Sequence, residues 1–173
     1  MKRVLYGLGV AALLVLIAWQ WQKNSSTKVE NVTVMVPQPE EKIAYVTFDD
    51  GPSEITPGIL DTLKKYDAKA TFFLIGEEIT EEREKIVKRE IEEGHSVGVH
   101  TYCHKKDEMY CNKEYFWNDF EKCKARIEEV IGKPVSLHRF PWGSNNGYVC
   151  PIVDDLMEEL QRQKITSFDW NVS

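Results

Sequence analysis

From Lys42 onward, short apolar runs alternate with longer segments whose apolar residues recur at helical spacing. No other feature narrows the fold as far. The strand-length runs are 43–48, 70–75, 96–99, 135–139 and 165–168. Between them, the spacing predicts helices over 56–66, 80–94, 112–131 and 151–163. Thr56 before Pro57 and Asn112 before a charged turn read as N-caps. Gly94 and Gly132 read as helix stops. Repeated strand–helix order implies parallel strands with helices packed outside, as a barrel or as an open sheet. In either case the strand C-termini open onto one rim.

The residues that reach this rim are chemically unusual. Asp49 and Asp50 follow the first strand, in Thr47-Phe48-Asp49-Asp50-Gly51-Pro52. His100 and His104 follow the third, in His100-Thr101-Tyr102-Cys103-His104, a spacing that one helical turn would place on one side. Two imidazoles and one carboxylate are the ligand set of a catalytic zinc that keeps a position for water. The second carboxylate is then available to take a proton. Arg139 ends the fourth strand, where a bidentate contact would orient that carboxylate. Gly143 allows close backbone approach, and a main-chain N–H near Trp142 would face an oxyanion. Asp169 follows the fifth strand and would pair with Arg139, while Trp170 would wall a pocket. His95 reads as a surface residue, and His138 points away from the rim by strand alternation. Cys103 would close the metal site if it also ligated, so it is left out of the ligand set.

The 173 residues suit one folded domain, with a formal net charge of −6 that argues against a nucleic-acid partner. Lys2 and Arg3 precede an apolar stretch over 4–21, near the ~20 residues that span a bilayer. Residues 1–22 are therefore expected to anchor the chain in the cell membrane, or else to direct its secretion, and both place the rest outside. Residues 23–41 form a polar linker and 42–173 the folded domain. Cys103, Cys111, Cys123 and Cys150 do not follow a C-x-x-C metal pattern, and any disulfide pairing is unreadable from their spacing.

These segments resemble the polysaccharide deacetylases, the NodB-homology domain of carbohydrate esterase family four. Ala70-Thr71-Phe72-Phe73-Leu74-Ile75-Gly76, Arg139-Phe140-Pro141-Trp142-Gly143 and Phe168-Asp169-Trp170-Asn171 carry the likeness with the two rim motifs. The resemblance implies a distorted (β/α) barrel of parallel strands with outer helices. It implies removal of N-acetyl groups from a polysaccharide, peptidoglycan first and chitin-like oligomers next. It assigns Asp49 as general base, and Asp50, His100 and His104 as ligands of a divalent metal, usually zinc, sometimes cobalt or another ion. Arg139 would steady Asp49, and Asp169 would contact Arg139. The Trp142 N–H would help hold the oxyanion, and Trp142 and Trp170 would line the substrate groove. The family's downstream Leu-x-His, whose histidine protonates the departing amine, has no counterpart here. The expectation is a domain incomplete at its C-terminus.

Overall fold

The computed structural model describes residues 43–149 and 151–172. The expected membrane anchor and linker lie outside them. Among the described residues, no helix is long and apolar enough to cross a membrane.

Five strands form one sheet: β1 (Val46–Gly51), β2 (Ala70–Ile75), β3 (Ser96–Thr101), β4 (Leu137–His138) and β5 (Thr166–Ser167). They pair in sequence order, β1-β2-β3-β4-β5, and every pairing is parallel. A doubly wound sheet would reverse its order part-way, at the point where its ligand binds. The consecutive order is that of a stretch of barrel wall. The helices are α1 (Thr56–Lys65), α2 (Glu84–Glu92), α3 (Lys106–Met109), α4 (Lys113–Ile131) and α5 (Val153–Arg162).

Strand alternation sorts the side chains onto two faces. Phe72, Leu74, Val97, Val99 and Phe140 join one buried cluster with Phe116, Phe120, Cys123 and Ile127 of α4. Phe48 stacks on Phe72 with ring centroids 5.3 Å apart, so β1 contributes to that face as well. The residues between them point the other way: Thr47, Asp49, Phe73, Gly98, His100 and Arg139. The helix-facing side is thus hydrophobic, and the opposite side carries the chemistry.

Several local expectations need correction. The sequence pattern places a buried strand over 43–48; β1 instead starts at Val46, continues through both aspartates and, among the described residues, is an edge strand. Tyr45 beside it is 87% exposed, because no neighbouring strand covers that edge among the described residues. Thr56 is the first residue of α1 rather than its cap, which is Ile55. Its hydroxyl instead accepts a hydrogen bond from the Ser53 N–H at 2.9 Å, closing the preceding turn. The segment from Thr80 begins as a turn, and regular helix starts only at Glu84. Asn112 does cap α4, accepting from the Tyr115 N–H at 3.0 Å, and Gly132 ends it with φ +68°. His95, expected at the surface, is buried: its Nδ1 accepts from the Ala70 N–H at 3.2 Å and its ring meets Phe72 edge-on. The first residue of β2 needs an acceptor, and that need draws the imidazole inward.

Candidate active site

Asp50, His100 and His104 come together although 50 residues of sequence separate the first pair. One ligand atom from each lies within 4.8 Å of the others. Asp50 Oδ1 is 3.3 Å from the Nε2 of both His100 and His104. β3 delivers His100. The four-residue spacing is bridged not by a helical turn, as expected, but by a bend that leaves His104 at φ +51°. Asp50 at φ +64° and Trp142 at φ +62° share this left-handed conformation, which non-glycine residues seldom adopt. Backbone of this kind concentrates at functional sites, where surrounding contacts hold it.

His100 Nδ1 lies 2.8 Å from the Arg139 carbonyl oxygen. A carbonyl only accepts, so Nδ1 carries the proton and Nε2 is the nitrogen turned toward Asp50. Burial lowers the His104 pKa below the ordinary imidazole value, which favours the neutral form that binds metals. The hydrogen bond to His100 holds the Asp50 carboxyl below its usual range, with burial opposing it. Two imidazoles and a carboxylate suit a borderline divalent cation. Cys103 takes no part: its Sγ turns to Asp119 Oδ1, 3.2 Å away. Among the described residues, Cys103, Cys111 and Cys123 form no disulfide.

Asp49 sits beside this cluster and does not join it. Arg139, almost wholly buried, donates from Nη1 to Asp49 Oδ1 at 2.9 Å and to Thr47 Oγ1 at 2.7 Å. Its Nε donates to the Phe168 carbonyl at 3.0 Å, and its guanidinium lies 4.3 Å from the centre of the Phe73 ring. The expected bidentate contact is therefore a single hydrogen bond, because the other arms of the fork bind the strand ends around it. The expected Asp169–Arg139 pairing is also corrected. Only the Asp169 main-chain oxygen approaches Arg139, at 3.5 Å. The Asp169 carboxylate accepts from the Ser144 N–H at 3.0 Å and from the Ser144 hydroxyl, bracing the loop that follows Trp142.

Trp142 packs against His104 with ring centroids 4.6 Å apart. Its N–H has no hydrogen-bond partner among the described residues. Gly143 follows at φ +81°, and a Cβ there would stand 3.3 Å from the Trp170 ring. Trp142 and Trp170 are both about two-fifths exposed, at 42% each, and flank the site. His138 is fully buried among Phe116, Phe120 and Phe140, as alternation predicted, and burial pushes its pKa down to about 3.

Sequence reasoning missed Thr47 and Asp119. Thr47 was findable, since it lies two residues before Asp49 on the same strand face. An aspartate in mid-helix carries no comparable signal.

An α/β sheet whose rim gathers a carboxylate, two imidazoles and an arginine-held second carboxylate defines a class, the parallel α/β proteins with a candidate His/Asp metal site. The family is defined as well. Residues 37–158 match the polysaccharide deacetylase family, and the chain belongs to it. It is 41% identical over 133 residues to a peptidoglycan-N-acetylglucosamine deacetylase of Bacillus cereus, covering 77% of this chain and 46% of that protein. It is 39% identical over 147 residues to the peptidoglycan-N-acetylglucosamine deacetylase PgdA of Listeria monocytogenes, covering 84% of this chain and 30% of the relative. Among solved structures, the catalytic domain of a peptidoglycan N-acetylglucosamine deacetylase from Eubacterium rectale superposes with a TM-score of 0.72 at 35% identity. That match covers 78% of this chain and 62% of the other. A polysaccharide deacetylase from Bacillus cereus gives 0.68 at 41% identity, covering 76% and 61%. The chain thus spans less than half of these two curated relatives.

Proposed function

We propose that this chain is a metal-dependent hydrolase that removes N-acetyl groups from N-acetylglucosamine residues of peptidoglycan. The observation that carries the reading is the Asp50–His100–His104 cluster beside an Asp49 steadied by Arg139. These three residues would hold the cation, and zinc is the ion their donor set suits best. The chemistry such an ion supplies when bound is Lewis acidity toward a carbonyl oxygen, and a water acidified toward neutral pH. Asp49, free of the cluster, accepts the proton of the attacking water. Arg139 fixes the carboxylate oxygen that does so. The Trp142 N–H donates to the oxyanion as the acetamido carbon becomes tetrahedral. Trp142 and Trp170 offer aromatic faces to the sugar rings. The names of the relatives support peptidoglycan as the substrate. Residues 1–22 anchor the chain in the cell membrane in this reading, with the catalytic domain outside. Fractionation of cells would reveal a soluble pool if they do not.

The test is release of amine from N-acetylated glycan in the presence of zinc. Turnover by the wild type and none by His100→Ala is expected; equal turnover by both overturns the ligand role. A second reading, a sugar-binding protein with little turnover, draws on one observation. Outside the cluster, the described histidines are His95 and His138, both buried and hydrogen-bonded away from the rim. Neither protonates a departing amine. Glycan binding without amine release would establish that second reading.

A further inference from the structure

The three residues between the two histidines of the metal cluster all donate to one carboxylate. Asp119, on α4, accepts from the Thr101 hydroxyl at 2.7 Å and from the Tyr102 N–H at 2.7 Å through Oδ2. Through Oδ1 it accepts from the Cys103 N–H at 3.1 Å and the Cys103 thiol at 3.2 Å. Thr101, almost wholly buried, in turn accepts from the His104 N–H at 3.2 Å through the same hydroxyl oxygen. Because the Thr101 proton is directed to Asp119, a lone pair of that oxygen is free for His104. His104, at the end of this chain of contacts, has φ +51°.

α4 does not need this carboxylate to dock. Phe116, Phe120, Cys123 and Ile127 already bury its inner face. Aspartate is also among the weaker helix formers in a helix interior. What the carboxylate adds lies outside the helix, in the bend that carries His104.

We propose that Asp119 is a positioning residue of the metal site: it gathers the segment 101–103 and, through Thr101, sets the left-handed backbone that aims His104 at Asp50. The proposal rests on the metal reading above. Partners one step removed from the ligands typically govern about 10–100-fold in metal affinity.

The experiment measures zinc dissociation constants by chelator competition for the full chain and four variants: Asp119→Asn, Asp119→Ala, Thr101→Val and Thr101→Ser. Asp119→Asn places an amide donor against at least one N–H or hydroxyl donor. It is expected to weaken zinc about 10–100-fold. At saturating zinc its loss of activity falls on kcat, with KM for the glycan within twofold. Thr101→Val is expected to weaken zinc in the same range, and Thr101→Ser to restore wild-type affinity. With cobalt in place of zinc, the visible spectrum of Asp119→Asn is expected to change in intensity, and that of Thr101→Ser to match the wild type. A merely structural role lowers the urea midpoint and leaves zinc affinity of the folded variants unchanged, and that result overturns the proposal. Should Asp119→Ala fail to fold, the Asn and Thr101 variants decide. Wild-type protein that takes up no zinc overturns the metal reading itself, and the proposal with it.

Discussion

Replacing Glu90 with glutamine removes a titration from the interior. Glu90 lies on the buried face of α2 with no exposed surface. Neither carboxyl oxygen has a hydrogen-bond partner among the described residues. Burial alone raises its pKa from 4.5 to about 8, so the carboxyl is mostly protonated at neutral pH. In the unfolded chain it ionises near pH 4.5. Between these values the folded state holds a proton that the unfolded state has released, and stability falls as pH rises. Each pH unit costs about 1.4 kcal/mol. From pH 5.5 to pH 8 the loss amounts to about 3 kcal/mol. Glutamine has a similar shape and does not titrate. The two proteins should therefore have similar stability at pH 5, and Glu90→Gln should gain steadily above it. Urea unfolding in chelator at pH 5.5, 7 and 8 measures the difference, in which the titrations of all other groups cancel. A stability difference that stays constant over those three pH values would show that Glu90 is not held protonated in the folded state.

Other perturbations probe the site more directly. Asp49→Asn should lower turnover by about 10²–10⁴-fold while zinc affinity stays within threefold, since Asp49 is a base and not a ligand; parallel loss of both would contradict this. Arg139→Lys should lower kcat about 10²-fold, because one ammonium cannot reach Thr47, Asp49 and the Phe168 carbonyl together; steady-state kinetics on soluble glycan would reveal it. Gly76→Ala puts a methyl group 2.5 Å from the Tyr102 ring and 3.1 Å from the Cys123 Cα. It should cost about 1–3 kcal/mol in urea unfolding and weaken zinc binding by displacing the bend before His104.

The choice of Asp50 over Asp49 as the ligand rested on the family resemblance, whereas the strand–helix order and the single rim bearing Asp49, Asp50, His100 and His104 were legible because each follows from alternation and from strand ends. The facing of His138 followed from the same rule. Contacts whose partners are far apart in sequence were not legible. Arg139 met Asp49 as expected, but Thr47 and the Phe168 carbonyl occupied its remaining donors. Asp169 has the right neighbourhood, yet its carboxylate found two donors on Ser144 before it found Arg139. His95 follows a helix-ending glycine, a setting usual for surface residues, and was drawn inward by the unpaired Ala70 N–H. Asp119 was invisible because a helix pattern shows which residues face the core, not which neighbouring loop a polar side chain serves.

In the proposed site the cation is held by the Asp50 carboxylate at the end of β1, by His100 within β3 and by His104 in the bend after it. X-ray absorption at the zinc edge of loaded protein tests it most directly. Nitrogen and oxygen neighbours are expected at about 2.0–2.1 Å with two imidazole signatures, and one imidazole fewer in His104→Ala. A sulfur neighbour at about 2.3 Å, or a spectrum unchanged in His104→Ala, would contradict it.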